Sequence, residues 1–142
     1  MSTLLTLKQS VKKKGAGFIV LIDPDKKNDE NIIGLVENAN LNGADAIFVG
    51  GSIMMDSFYN DRIKKIKSIS NIPVILFPGG VNQISKYFDA ILFMSLLSGR
   101  NPHYLIGEQV LAAPMIKDIG IETIPTAYLL IDGDSSTPSM SK

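Results

Sequence analysis

The chain has 142 residues, 45% of them hydrophobic and 20% charged, an ordinary balance for one globular domain. Fourteen basic residues offset fourteen acidic ones, so no cationic footprint exists for a phosphate backbone, and nucleic-acid binding is excluded as the main role. Cysteine is absent, which removes disulfide and thiolate chemistry and fits a reducing cytoplasm.

The opening residues, Met1 to Leu5, lack the apolar core of a signal peptide. No apolar run approaches the ~20 residues of a spanning helix. The expectation is a soluble, cytoplasmic protein with at most peripheral membrane contact. The basic run Lys12-Lys13-Lys14 reads as the solvated end of a first helix rather than a membrane anchor.

Five apolar stretches read as strands, each running into a polar or glycine-rich cluster. Phe18–Ile22 meets Asp23-Pro24-Asp25-Lys26, and Ala46–Val49 meets Gly50-Gly51-Ser52. Between them Asn28-Asp29 caps a helix whose Ile32, Leu35, Val36 and Ala39 recur at helical spacing, with Gly43 placed to end it. A second helix over Ser57–Ile69 carries Ile63, Ile66 and Ile69 on one side, with Arg62, Lys64, Lys65 and Lys67 expected mostly toward water. Strand three, Val74–Phe77, meets Pro78-Gly79-Gly80, and a short segment from Asn82 to Phe88 crosses to strand four, Ala90–Met94. The longest helix follows Asn101-Pro102 and runs to about Lys117 and Gly120, with Pro114 expected to kink or shorten it. Strand five is placed at Ala127–Ile131.

Alternating strands and helices imply a parallel sheet with right-handed crossovers. Strands that are continuously apolar fit a sheet covered on both faces. A closed (β/α)₈ barrel needs at least ~200 residues. The fold expected is therefore α/β: an incomplete TIM (β/α)₈ barrel of about five parallel strands and four helices. Residues 1–134 form the partial barrel and 135–142 a polar C-terminal tail.

Chemistry gathers where functional sites of parallel α/β folds lie, at the carboxyl ends of the strands. Asp23 and Asp25 flank a proline, an arrangement suited to Mg²⁺, which takes one or two protein carboxylates. The same residues also suit a plain Asp-Pro-Asp turn that caps the next helix. Gly50-Gly51-Ser52 offers backbone donors and a hydroxyl to a diphosphate, or makes only a tight loop. Gly79-Gly80 permits close backbone approach to a ligand. Asp132 is positioned to orient or deprotonate a hydroxyl, with Tyr128 able to hold a phosphate or polyol oxygen, or else Asp132-Gly133 is a turn and Tyr128 packing. His103, the single histidine, reads as a surface or capping residue.

The order and length of these motifs carry a resemblance. Leu21-Ile22-Asp23-Pro24-Asp25-Lys26, Ala44–Ser52, Pro73–Gly79, Phe93–Pro102, Leu105–Gln109 and Ala127–Gly133 together resemble the geranylgeranylglyceryl phosphate synthase family and the related bacterial heptaprenylglyceryl phosphate synthases, matching its N-terminal portion. The resemblance implies a magnesium-dependent prenyltransferase on a TIM barrel. It implies transfer of a long isoprenyl group from its diphosphate to sn-glycerol 1-phosphate, giving an ether-linked phospholipid precursor and pyrophosphate. By the same match Asp23 and Ser52 would bind Mg²⁺ with Asp25 close by. Tyr128, Leu129, Leu130, Ile131, Asp132, Gly133 and Asp134 would hold glycerol phosphate, with Asp132 facing its hydroxyl. Tyr104 and Leu105 would wall the prenyl groove. Two departures accompany the match. Asp134-Ser135 stands where the family usually continues with glycine, placing an acid near a phosphate. The last three β/α units of a barrel are not represented, so the alternative is a truncated or split, non-catalytic chain needing a partner. Self-association, as a homo-oligomer or through a barrel-completing partner, is expected.

Overall fold

The computed structural model describes residues 2–51 and 56–131. Ser2 caps the first helix, α1 (Thr3–Lys14), its side chain accepting from Leu5 N. After it come β1 (Ile19–Ile22), a 3₁₀ turn (Lys26–Asn28), α2 (Ile32–Leu41), β2 (Ala46–Val49) and α3 (Tyr59–Ile69). The second half holds β3 (Val74–Leu76), a 3₁₀ turn (Val81–Gln83), β4 (Ala90–Leu96), a π turn (His103–Gly107), α4 (Glu108–Ile119) and β5 (Glu122–Tyr128).

All five strands are parallel and lie in the order β1-β2-β3-β4-β5. Each strand is a neighbour of the next in sequence, so the winding never reverses. An open doubly wound sheet reverses at a switch point, whereas a (β/α) barrel does not. The topology is that of a partial barrel.

Side chains alternate across the sheet with period two. Ile22, Ile47, Val49, Leu76 and Ile91 pack beneath Val36 of α2, Ile63 and Ile66 of α3 and Ile116 of α4. Ala46, Ile75, Ala90, Leu92 and Ile124 point the other way, where Leu4 and Leu7 of α1 meet them. Fully burying an Ile or Leu contributes about 1.5–3 kcal/mol. This two-sided burial holds together strands that no hairpin joins.

Several expectations are corrected. The fifth strand spans Glu122–Tyr128 rather than Ala127–Ile131, pairing Ala90 with Glu122 through to Leu96 with Tyr128. Its segment Glu-Thr-Ile-Pro-Thr-Ala-Tyr mixes polar residues with Pro125. Among the described residues β5 pairs on one side only, and such a position tolerates this because one row of backbone groups has no ladder partner there. The crossing from β3 to β4 is a 3₁₀ turn rather than a helix, and α1 makes up the four helices. Asn28 and Asp29 lie in or beside the 3₁₀ turn, and Asn31 occupies the α2 cap position without a side-chain bond. Arg62 is buried, only 6% exposed, because its guanidinium is fully engaged by carboxylates.

Other features match the pattern in the chain. Gly43 and Gly120 adopt φ of 73° and 70° just beyond α2 and α4, the left-handed conformation in which glycine carries no Cβ penalty. Pro114 departs from expectation: it does not shorten α4, which continues past it to Ile119. No helix among the described residues is long and apolar enough to cross a membrane.

Candidate active site

The carboxyl ends of the strands surround one cleft of about 440 Å³. Asp23, Gly50, Gly51, Gly79 and Gly80 form its polar side, at the ends of β1, β2 and β3. Leu92, Met94, Leu96, Tyr104, Tyr128 and Leu130 build an apolar wall on the opposite side. Tyr128 meets Phe77 edge-on with centroids 5.7 Å apart, and Phe77 lies 6.0 Å from Phe48. This aromatic row lines the inner face of the sheet below the cleft.

Backbone proximity explains the glycines. A side chain at Gly50 would overlap the carbonyl of Phe77, and a Cβ at Gly51 would lie 2.6 Å from Asp23 Oδ1. The ends of β1 and β2 therefore meet with the Asp23 carboxylate laid against the Gly51 backbone. Gln83, 3% exposed, ties the next pair of loops. Its Nε2 donates to Gly51 O at 2.8 Å, and its Oε1 accepts from Gly79 N at 2.7 Å. Tyr59, buried on α3, donates its hydroxyl to Gln83 O at 3.0 Å. Burial raises the Tyr59 phenol above its ordinary pKa, so it stays a neutral donor.

The far wall is fixed in the same way. Glu108 Oε2 accepts from Val81 N at 2.9 Å while its Oε1 pairs with His103 Nε2 at 2.8 Å. Gln109 Nε2 donates to Met94 O and contacts Ser95 Oγ at 3.3 Å, joining the start of α4 to β4. These bonds hold the π turn that carries Tyr104 into the cleft. π turns recur at functional sites.

Asp25 accepts from Lys27 N at 3.1 Å and caps the 3₁₀ turn, so it serves as the turn residue in its Asp-Pro-Asp run. Asp23 presents its carboxylate to the cleft, its side chain 42% exposed. Lys27 Nζ lies 3.7 Å from Asp23 and 3.5 Å from Asp25, so one ammonium serves both. Asp23 brings one carboxylate, with Lys27 beside it, to a cleft with room for water and phosphate oxygens, a donor type that suits Mg²⁺. No group of three or more His, Cys, Asp or Glu converges among the described residues, so they build no all-protein metal cage.

The sequence-derived site residues divide three ways. Asp23, Tyr104, Tyr128 and Leu130 share the cleft. Asp25, which caps the 3₁₀ turn, and Leu105, Leu129 and Ile131, which are 42%, 65% and 87% exposed, are not among its described lining. Ser52, Asp132, Gly133 and Asp134 lie outside the described residues. Sequence reasoning missed Gln83, Glu108, Gln109 and Arg62. Three of these act through bonds to backbone groups distant in sequence, which no spacing rule reveals. Arg62 carried one signal: it stands three residues after Tyr59 and four before Ile66, the spacing of one helix face.

A model of the PcrB family matches residues 8–142. The chain belongs to the PcrB family. It is 52% identical over 113 residues to a geranylgeranylglyceryl phosphate synthase of Korarchaeum cryptofilum, covering 80% of this chain and 46% of that protein. Identity to the geranylgeranylglyceryl phosphate synthase of Chitinophaga pinensis is 46% over 127 residues, covering 89% and 50% respectively. Among solved structures, (S)-3-O-geranylgeranylglyceryl phosphate synthase of Thermoplasma acidophilum, in complex with its substrate sn-glycerol-1-phosphate, is similar with a TM-score of 0.85 at 36% identity. That match covers 99% of this chain and 57% of the other. Wild-type GGGPS of Thermoplasma volcanium gives the same TM-score at 37% identity, covering 96% and 56%. This PcrB-family chain spans about half the length of the curated relatives it matches.

Proposed function

We propose that the chain contributes the diphosphate and prenyl side of a prenyltransferase site, soluble in the cytoplasm, acting in ether phospholipid synthesis. The carrying observation is one cleft that joins a polar rim with Asp23 to apolar side chains including Leu92, Met94 and Tyr104. An isoprenyl diphosphate has the same two halves. The names of the relatives, and the sn-glycerol-1-phosphate bound to the Thermoplasma acidophilum enzyme, support glycerol phosphate as the acceptor.

In the reaction, the bond between the allylic carbon and the diphosphate oxygen breaks, and that carbon bonds to the glycerol hydroxyl oxygen. Pyrophosphate leaves, and the hydroxyl proton passes to a base, the role proposed for Asp132. Asp23 and Ser52, with Asp25 close to Asp23 in the chain, would hold Mg²⁺, which when bound neutralises charge on the departing diphosphate. The apolar wall keeps water from the developing carbocation. The backbone amide of Gly80 is available to diphosphate oxygens at the rim, while that of Gly79 is taken by Gln83. Tyr128 to Asp134 would hold the acceptor.

A second reading, a non-catalytic chain that needs a complementary polypeptide or another copy to complete its barrel, is favoured by the edges. Among the described residues β1 and β5 each pair on one side only. Unpaired edges invite association. The test is incubation of purified chain with labelled isoprenyl diphosphate, sn-glycerol 1-phosphate and Mg²⁺, with size-exclusion chromatography alongside. Ether product that disappears in Asp23→Asn supports the first reading. Absence of product from a folded chain overturns autonomous activity and leaves the second.

A further inference from the structure

We propose that Arg62 is a positioning residue for the Asp23 carboxylate, acting as a buried clamp between the loop after β1 and the segment entering α3. The inference rests on the prenyltransferase reading above for what Asp23 does, but not for where Arg62 holds it.

The clamp is built from one guanidinium. Its Nη1 and Nη2 each donate at 2.8 Å to the two oxygens of Asp56, a bidentate pair. Its Nε donates to Asp29 Oδ1, and Nη2 also reaches Asp29 Oδ2 at 3.1 Å. A fifth bond runs from Nη1 to the carbonyl of Pro24 at 3.4 Å. Pro24 lies between Asp23 and Asp25, and Asp29 closes the same loop. Asn28 Nδ2 donates to Asp23 O at 2.9 Å, so the loop is tied on both sides of the proline. Asp56 stands on the other side of the clamp, just before α3, which supplies Arg62 itself.

Burying this group has a reason beyond stability. An ion pair out of water often contributes little net stability compared with apolar side chains of the same size, because both charges lose their hydration. What it fixes is geometry. The planar fork engages two carboxylates and a carbonyl at set angles, which the single ammonium of lysine does not reproduce. Partners behind a metal-binding carboxylate typically set affinity or activity by ~10–100-fold. Arg62 touches neither the cleft nor Asp23 directly; it works through Pro24.

The test uses the full chain with Arg62→Lys and, as a milder variant that leaves the buried cation in place, Asp56→Asn. Two-dimensional amide NMR tracks Asp25 to Asn28, and Mn²⁺, standing for Mg²⁺, is titrated by its paramagnetic broadening of the Asp23 to Asn28 amides. Expected are amide shifts in Asp25 to Asn28 for both variants, with thermal midpoints of Asp56→Asn close to wild type. Mn²⁺ half-saturation and the Mg²⁺ needed for half-maximal turnover should rise roughly 10-fold or more. A merely structural arginine would lower the folded fraction without moving the metal half-saturation. Unshifted Asp25 to Asn28 amides in folded Asp56→Asn and Arg62→Lys would overturn the proposal, as would an unchanged Mn²⁺ half-saturation. Should wild-type chain neither turn over substrate nor bind Mn²⁺, the prenyltransferase reading fails, and the amide shifts alone decide the clamp.

Discussion

Asp45 and Glu122, each at the amino end of a strand, hold opposite ends of the same helix. Glu122, at the start of β5, accepts from Thr3 N at 2.6 Å, Leu4 N at 3.1 Å and Ser2 Oγ at 2.7 Å. Asp45, just before β2, accepts from Lys14 Nζ at 2.6 Å, Phe18 N at 2.8 Å and the Ser10 hydroxyl. Helix α1 thus straps the amino ends of the strands, while the cleft opens at their carboxyl ends. The polarity is favourable at both termini: a carboxylate meets the helix N-terminus, and the last turn carries three lysines.

The Asp45 end predicts an acid transition. The Lys14 ammonium, then the Phe18 amide and the Ser10 hydroxyl, lower its carboxyl from 3.8 to about 2. A depressed folded pKa contributes stability above the unfolded value and loses it as pH falls through the folded value. Stability should therefore decline between about pH 4 and pH 2, tracking Asp45 protonation. Asp45→Asn should lower stability by about 1.5–3 kcal/mol at neutral pH. It should also flatten that part of the pH dependence, both read from urea unfolding monitored by circular dichroism.

At the other end, burial of Glu122 opposes its charge, but bonds from Ser2, Leu4 and Thr3 outweigh it and leave the carboxyl below its usual range. Glu122→Gln keeps an acceptor and loses only charge, so it should cost about 0.3–1 kcal/mol. Glu122→Ala leaves two helix-terminal amides without their acceptor and should cost more, about 1.5–3 kcal/mol. Hydrogen exchange should show the first turn of α1 opening in the alanine variant while β2 and β3 stay protected. Equal exchange in both variants would show that Glu122 is not the tether.

The paired glycines after β2 should separate stability from chemistry. Gly50→Ala pushes a methyl into the Phe77 carbonyl, which cannot rotate away, and should cost about 3 kcal/mol or more. Gly51→Ala meets only the end of the Asp23 side chain, which can turn aside. Its stability should change by less than about 1 kcal/mol, while ether product formation falls with the displaced carboxylate. Thermal unfolding and the turnover assay together check the contrast. Equal effects on both readouts for both variants would contradict it.

Much of this was legible in the chain because parallel strands buried on both faces announce themselves as apolar runs. Ala46–Val49 is recovered residue for residue, and Phe18–Ile22 and Val74–Phe77 exceed β1 and β3 by one residue each. The fifth strand was misplaced because apolarity pointed to Ala127–Ile131, whereas pairing with β4 selected the polar run from Glu122. Of the residues that line the cleft, Asp23 was read from its place after strand one, Tyr128 from its spacing to Asp132, and Tyr104 from the family resemblance. Gln83 and Arg62 were not, since a buried polar side chain is defined by partners that only the folded chain assembles.

Gln83 gives the last and most direct check on that assembly. Its amide satisfies Gly51 O and Gly79 N at once, and both are backbone groups at the polar rim. Gln83→Leu keeps nearly the same volume but strands both, at about 1–3 kcal/mol for each group left without a partner. Tyr59→Phe removes only the bond to Gln83 O and should cost about 0.5–1.5 kcal/mol. Combined, the two should cost less than their sum, because the Tyr59 bond to the main-chain carbonyl of residue 83 holds the backbone from which the Gln83 side chain reaches both loops. Urea unfolding of the two single variants and the double variant measures this coupling. Strict additivity would mean that Tyr59 and Gln83 support the rim independently.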